Sequence, residues 1–324
     1  MEEYPIDAVI TWVDGNDPVH RRKRQQYSDV PDQLENEDIG GDIRFTSVGE
    51  IKYCVASLLR FAPFLRKIFI VTDGQNPHLD DFVHENFPGH KTQLEIVDHK
   101  VIYRDHEELL PVFNSLSIET VLWRIPDLSE HYVYFNDDVM LVSPTTPATF
   151  FDEGRNIVYG NDFSLAFAKL LRRIKPKKHG HKVFGFKDAM VNACDQIGHK
   201  GSFPLVGHIA HIQRKSIMQD YFYRNPGAMV ENMRHRFRVD TQYNPQMLNY
   251  LLGLESGKCV QRSGKGMDLY LKPKDKKGYV QAHLDRFDRS EMGVFCCMNS
   301  LDLAKPEEQE LVFKWLRNRL QIHE

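Results

Sequence analysis

Tyr132-Val133-Tyr134-Phe135-Asn136-Asp137-Asp138 is the stretch from which the fold is read. Four residues of high strand propensity run into an amide and two adjacent carboxylates. β-Branched and aromatic side chains suit a buried strand. Carboxylates at the C-terminal end of such a strand fall in the crevice where open α/β sheets bind ligands. Two neighbouring acids repel each other, so they call for a cation or for hydrogen-bond donors between them. A hard divalent metal that also bridges phosphate oxygens answers that need, because Mg²⁺ commonly takes one or two carboxylates plus substrate phosphates. Taken alone, an Asn-Asp-Asp run is more often a solvated turn; the strand before it and the motifs around it argue otherwise.

Working outward, strands alternate with helices. Ile6-Asp7-Ala8-Val9-Ile10-Thr11-Trp12-Val13 reads as a first buried strand, and Asp14-Gly15-Asn16-Asp17-Pro18 as the turn that ends it. Residues 20–27 form a basic helix, and residues 29–42 an acidic loop without apolar period. Ser47 and Glu50 fit a capping box for a helix carrying Ile51, Val55, Leu58 and Leu59. A second strand covers residues 67–72 and ends at Asp73-Gly74; a third covers 94–97. Residues 114–124 are helical, with Ile118, Val121 and Leu122 inward. The alternation predicts an α/β fold with a doubly wound, mostly parallel sheet.

The chain divides into three expected parts: an α/β core over 1–150, a basic helical insertion or lid over 151–205, and a mostly helical C-terminal part over 206–324. The insertion concentrates Lys169, Arg172, Arg173, Lys175, Lys177, Lys178 and Lys182. That charge suits an anionic acceptor, an anionic membrane surface, or simply a solvated face. Residues 264–278 read as a Lys/Gly-rich loop. Residues 306–320 read as an amphipathic helix with Leu311, Trp315, Leu316 and Leu320 on one face.

Composition bounds the function. The 324 residues are 41% hydrophobic and 27% charged, with a formal net charge of −3. These values suit a globular protein and give no global basic field for nucleic acid. No apolar run is long enough to span a bilayer, and Met1-Glu2-Glu3-Tyr4-Pro5 lacks the apolar core of a signal peptide. Five cysteines without a C-x-x-C pair favour free thiols and a reducing, cytoplasmic setting.

The motifs together carry a resemblance. The first strand and its turn, residues 6–18, resemble the first conserved block of the Stealth family of sugar-1-phosphate transferases. That family serves microbial polysaccharide synthesis and includes the animal N-acetylglucosamine-1-phosphotransferase. Arg44-Phe45, Gly49-Glu50-Ile51-Lys52-Tyr53, Ile70-Val71-Thr72-Asp73-Gly74-Gln75, Leu110-Pro111-Val112-Phe113-Asn114-Ser115, Ile118-Glu119 and Asn136-Asp137-Asp138 resemble its second block. His208-Ile209-Ala210-His211 with Phe237-Arg238 resembles the third, and Cys297-Met298-Asn299 the fourth. Leu116, Ala210 and Ser300 depart from the family's usual histidine, proline and aspartate; Asp302 is a candidate to replace the last.

The resemblance implies a GT-A-like nucleotide-sugar core and a particular reaction. An acceptor hydroxyl attacks the β-phosphate of a UDP-sugar, a sugar-1-phosphate moves to a glycan or phosphoglycan, and UMP leaves. Asp137 and Asp138 would hold Mg²⁺ or Mn²⁺ against the diphosphate. His208 takes the general base's place, with His211 in reserve. Arg238 would meet phosphate through its planar fork of donors. Trp12, Asp14 and Gly15 would line the nucleotide crevice. Asp73, Gly74 and Asn114 would hold uridine or sugar, and Arg44, Asn136 and Asn299 would complete the substrate contacts. The rival readings are a metal-dependent glycosyltransferase that releases UDP and a non-catalytic glycan-binding protein.

Overall fold

A computed structural model describes residues 4–27, 48–174 and 184–323, together with the backbone of a short hairpin, Lys177–Lys178 paired with His181–Lys182. Arg44, Ser47 and the acidic stretch 29–42 lie outside the described residues, as do the side chains of the lysines from 175 to 182.

The N-terminal half builds the expected alternation. Strand β1 (Ile6–Thr11) is buried along its length except at Thr11. Helix α1 (Pro18–Gln26) starts where the Asp17 carboxylate accepts the Val19 N–H at 2.8 Å, with proline at its first position. Helix α2 (Glu50–Phe61) buries every residue except Lys52 and Arg60, so it lies within the core. Its start differs from the capping box expected at Ser47. Gly49, in the left-handed region at φ 97°, precedes the helix, and the Glu50 carboxylate accepts the Val48 N–H. Strands β2 (Lys67–Thr72) and β3 (Gln93–Asp98) follow. Helix α3 (Ser115–Thr120) then gives way to a 3₁₀ turn, Leu122–Arg124. Strand β4 (His131–Asn136) is the quoted stretch, buried up to Phe135 and exposed at Asn136.

β4, β1, β2 and β3 run parallel in that spatial order. The register pairs Thr11 with Asn136 and with Val71. The ends of β1, β2 and β4 therefore share one edge, where Trp12–Gly15, Asp73–Gly74 and Asp137–Asp138 emerge. The α/β class and the mostly parallel sheet stand as expected.

The rest of the chain closes that edge. Strand β5 (Val139–Leu141) leaves the carboxylates; β6 (Arg155–Ser164) leads into helix α4 (Leu165–Ile174), and helix α5 (Phe186–Gln196) into β7 (Ser202–Val206). Strand β8 (His211–Arg214) adds to the main sheet antiparallel to β4, setting His211 opposite Tyr134. Helix α6 (Pro245–Glu255) precedes β9 (Cys259–Arg262). Strands β10 (Asp268–Leu271) and β11 (Phe295–Met298) join β5 in a second sheet ordered β10-β11-β5. Strand β10 corrects the expectation of an unstructured loop over 264–278: Leu269 and Leu271 alternate inward there and decide the matter over the surrounding lysines.

Helix α7 (Pro306–Leu320) lies where expected, but it buries Val312, Leu316 and Leu320, while Leu311 is 39% exposed. Leu316 and Leu320 thus face inward as expected, and Val312 takes the place expected of Leu311. All five cysteines are free and buried. Among the described residues no helix is long and apolar enough to cross a membrane.

Candidate active site

The recess at the end of β4 is acidic before it is anything else. Asp137 and Asp138 form the turn between β4 and β5, half-buried and within reach of solvent. Burial, then Asp138, then Glu50 push the Asp137 carboxyl well above the usual carboxylate range. Asp138 is also pushed up by burial, against hydrogen bonds from Asn299 Nδ2 (3.4 Å) and Cys297 Sγ (3.5 Å) to its Oδ2. Glu50, at the N-terminus of α2, is raised by burial, with Asp138 and Asp302 adding to the effect. Asp302 thus sits close to the acidic recess, where the sequence placed a substitute for Ser300. Among the described residues no lysine or arginine makes an ion pair with Asp137 or Asp138, and no three His, Cys, Asp or Glu are disposed to hold a metal among themselves.

His208 stands on the loop between β7 and β8, its ring stacked on Tyr270 of β10 at 4.5 Å between centroids. Asp138 and Asp268 both act to raise its pKa, but burial outweighs them and the net shift is downward. The imidazole is therefore neutral near pH 7, the form a general base requires. Gly207 makes the approach of Asp268 feasible: a Cβ there would lie 2.6 Å from Asp268 Oδ2. Tyr270 Oη donates to Asn299 Oδ1 at 3.3 Å, and Asn299 in turn donates to Asp138. One chain of contacts, His208–Tyr270–Asn299–Asp138, thus joins His208, Asn299 and Asp138, which the sequence assigned to separate blocks.

Arg238 defines the other end. Its Nη2 donates to Ser115 Oγ at 2.9 Å, while its Nε is buried without a partner. Burial lowers its pKa, and the nearby Glu119 and Tyr134 oppose that shift. The Tyr134 hydroxyl lies 2.7 Å from Asn136 Oδ1, 3.0 Å from Glu119 Oε1 and 2.8 Å from Thr11 Oγ1. A cavity of about 100 Å³ opens among Ser115, Glu119, Asn136, His211 and Arg238. The unpartnered Nε and this polar cavity together suit an anionic group.

Several expected residues play a different part. His211 is buried within the sheet, its Nδ1 3.1 Å from the Tyr250 hydroxyl, and burial holds its pKa down to about 4. It is a sheet residue at the wall of the Arg238 cavity, and its burial removes it as a reserve base. Asn114 is a second correction. Its side chain caps α3 by accepting the Leu116 N–H, and it donates to Gln242 Oε1 at 2.7 Å, fully inside the protein. Asp73 is paired with Lys23 at 2.6 Å, and Gly74, at φ 67°, turns beside Asp98. The turn at Asp14 and Gly15 is held by Gln75, whose amide accepts from Asp14 N and donates to Asp14 O and Asp17 Oδ2. Trp12 is buried, with its indole N–H unpartnered.

Glu119, Asp268, Tyr270 and Glu50 enter the site without having been given a role from sequence. Glu50 and Glu119 stood within the quoted second-block motifs, which was signal enough. Asp268 and Tyr270 had no local signal, because only the pairing of β10 with β11 brings them here.

Fold and site together define an α/β protein with paired carboxylates, a neutral histidine and a buried arginine gathered at the C-terminal edge of a mostly parallel sheet. The chain carries two Stealth protein domains: residues 4–29 match conserved region 1 and residues 44–158 conserved region 2. An exopolysaccharide phosphotransferase of Streptomyces coelicolor is 41% identical over 75% of this chain and 42% of its own length. A capsular polysaccharide phosphotransferase of Streptococcus pneumoniae is 34% identical over 68% of the chain and 61% of its own. One of Neisseria meningitidis serogroup B is 38% identical over 47% and 39%. The chain thus spans less than two thirds of these relatives. The crystal structure of the galactosyltransferase LgtC, in complex with donor and acceptor sugar analogues, superposes with a TM-score of 0.46 at 12% identity, over 96% of this chain and 95% of that one. His208, Arg238 and Asn299 lie beyond these two regions; His208 and Asn299 act on Asp138, and Arg238 shares a cavity with Asn136.

Proposed function

We propose that this protein transfers a sugar-1-phosphate from a UDP-sugar to a hydroxyl of a glycan or phosphoglycan, in the making of a microbial surface polysaccharide. The observation that carries the reading is the linkage of neutral His208 to Asp138 through Tyr270 and Asn299, with Arg238 lining a polar cavity beside Asn136. The acceptor oxygen attacks the β-phosphorus, and its proton passes to His208 Nε2 or Nδ1. The bond from the β-phosphorus to the bridging oxygen breaks, and UMP departs with that oxygen. Arg238, charged and short of one partner, takes up charge on the transferring phosphoryl group. Glu119 and Ser115 hold that guanidinium in place. Relatives named as polysaccharide phosphotransferases support the class of reaction.

Asp137 and Asp138 would hold a divalent cation, Mg²⁺ or Mn²⁺. Two half-buried carboxylates driven toward protonation, with no ion pair among the described residues, suit a shared site in which substrate oxygens would complete the shell. A third protein ligand is not required there. The ion would neutralise the diphosphate.

The test is the identity of the released nucleotide. Purified protein with a panel of UDP-sugars, acceptor glycan and Mg²⁺ or Mn²⁺ is expected to yield UMP and a phosphodiester product. Release of UDP with a new glycosidic bond would move the protein to the glycosyltransferases. Sugar binding without any turnover would make it a glycan-binding protein.

A further inference from the structure

Among the described residues, an apolar cavity of about 850 Å³ opens outside the polar recess, within the range of roughly 300–1,000 Å³ that encloses a small molecule. Phe163, Leu171, Ile174, Val191, Phe203 and Leu205 form its walls. His208 and Asp268, the pair at the centre of the candidate active site, belong to its lining. Lys187 and Lys265 also line it; among the described residues neither makes an ion pair, and the Lys187 ammonium lies 5.6 Å from the centre of the Phe163 ring.

Helix α4 extends the apolar wall outward. It buries Leu165 and Ala168 against its own fold. Lys169 pairs with Asp195 at 2.5 Å, and Arg172 bonds Asn192 at 2.7 Å. The remaining stripe, Phe167, Leu170, Leu171 and Ile174, has the i, i+3, i+4, i+7 spacing of a helix face, yet it points to solvent, Ile174 with 68% of its surface exposed. Core packing does not need this stripe, since the helix already docks through its other side. A glycan alone would not use it either, because sugars ask for polar partners where these walls are hydrocarbon. Apolar walls, two lysines outside any ion pair among the described residues and a histidine in the same lining describe an amphiphile with an anionic link.

We propose that this cavity binds the acceptor, and that the acceptor is a glycan joined through phosphate to an apolar chain. The chain lies against Leu171 and Ile174, the phosphate lies between Lys187 and Lys265, and the glycan hydroxyl reaches His208. This assignment rests on the transferase reading for its catalytic consequence, but the binding itself can be measured without turnover.

The probe is farnesyl phosphate below its micelle concentration, titrated calorimetrically into the full chain. Saturable binding is expected, with farnesol weaker and inorganic phosphate negligible. Leu171→Gln with Ile174→Gln, both at exposed positions, should weaken it at least tenfold without changing the thermal melt. Lys187→Ala with Lys265→Ala should weaken farnesyl phosphate but leave farnesol unchanged. In turnover, the prenyl-phosphate glycan should show a lower acceptor KM than the same glycan without its anchor. The Gln pair should erase that difference and leave the donor KM alone. Farnesyl phosphate binding no better than phosphate, or unchanged in the Gln pair, overturns the proposal even where UMP is still released. Flotation of the protein on anionic vesicles without farnesyl phosphate binding assigns the stripe to a membrane surface and overturns it equally. Binding that follows the proposal, with no UMP from any donor, upholds the cavity and rejects the transferase reading instead.

Discussion

Two histidines three positions apart on one short segment are set to different tasks by their surroundings. His208 projects into the recess, and its pKa lies below the ordinary 6.5 because burial outweighs the opposing effect of Asp138 and Asp268. His208→Ala should slow turnover by about 10²–10⁴-fold. In the wild type kcat/KM should rise through a pKa below 6.5 and stay level at neutrality. Asp268→Asn removes a charge that raises this pKa, so the acidic limb should move to lower pH; a limb that stays in place or moves upward would exclude Asp268 as a partner. His211, with its pKa at about 4, bears on stability. Its folded pKa lies below its unfolded one, so its contribution is complete above about pH 6.5 and is lost as pH falls toward 4. The loss is about 3 kcal/mol at one pKa unit per 1.36 kcal/mol. Urea midpoints between pH 4 and 7 should therefore fall less steeply for His211→Phe than for the wild type. Buried His99, also near 4, will leave part of the slope in the variant.

Between residues and molecule stand the strand ends and turns that aim these side chains. Gly207 precedes β8, and a methyl there would meet Asp268 at 2.6 Å. Gly207→Ala should fold, because the obstacle is a side-chain carboxylate that can shift. Turnover should fall by about 10- to 100-fold as Asp268 is displaced from His208. Equal activity in the alanine variant would show that the close approach is incidental. The N-terminal edge of the sheet is held by another device. Asp7, wholly buried at the start of β1, accepts from Arg66 Nε at 2.9 Å and Nη2 at 2.7 Å, and also from Ser129 N at 2.7 Å. It ties β1, β2 and the turn before β4 together. Arg66→Ala strands that carboxylate. It should cost about 3 kcal/mol, the lower end for breaking a buried pair, since a third of the arginine is in water. Denaturant titration should show a lower midpoint at constant slope.

The whole molecule is a main sheet whose active edge is completed by residues from the far end of the chain. The second sheet holds the carboxylate turn from below through β5, and it brings Asn299, Tyr270 and Asp268 to it through β10 and β11. A recess that gathers Glu50, Asp137, Asp138 and Asp302 carries excess negative charge whenever its acids are ionised. A cation should therefore matter for turnover more than for folding. Chelation is expected to abolish transfer with the circular-dichroism spectrum unchanged, and Mg²⁺ or Mn²⁺ to restore it. Asp138→Asn should lose most activity in either ion. Full turnover in excess chelator would remove the cation from the mechanism.

Much of this was legible in the chain, for a local reason. β-Branched and aromatic runs that stop at Asp14-Gly15, Asp73-Gly74 and Asp137-Asp138 report strand, strand end and edge chemistry within a few residues, so the parallel sheet and its carboxylates followed from sequence by itself. His208, Arg238 and Asn299 were legible as motif positions. Their convergence was not, because Asn299 meets Asp138 across 161 residues and Arg238 meets Ser115 across 123. Asp268 and Tyr270 were invisible in a lysine-rich stretch whose strand exists only because β11 pairs with it. Asn114 and His211 read as binding residues because their types suit that role, and only burial turned one into a helix cap and the other into a sheet residue. Periodicity and propensity act over a turn or a strand, and they determined the elements. Which polar groups lose water and which charges face one another depends on contacts between distant segments, and the tertiary structure alone decided that.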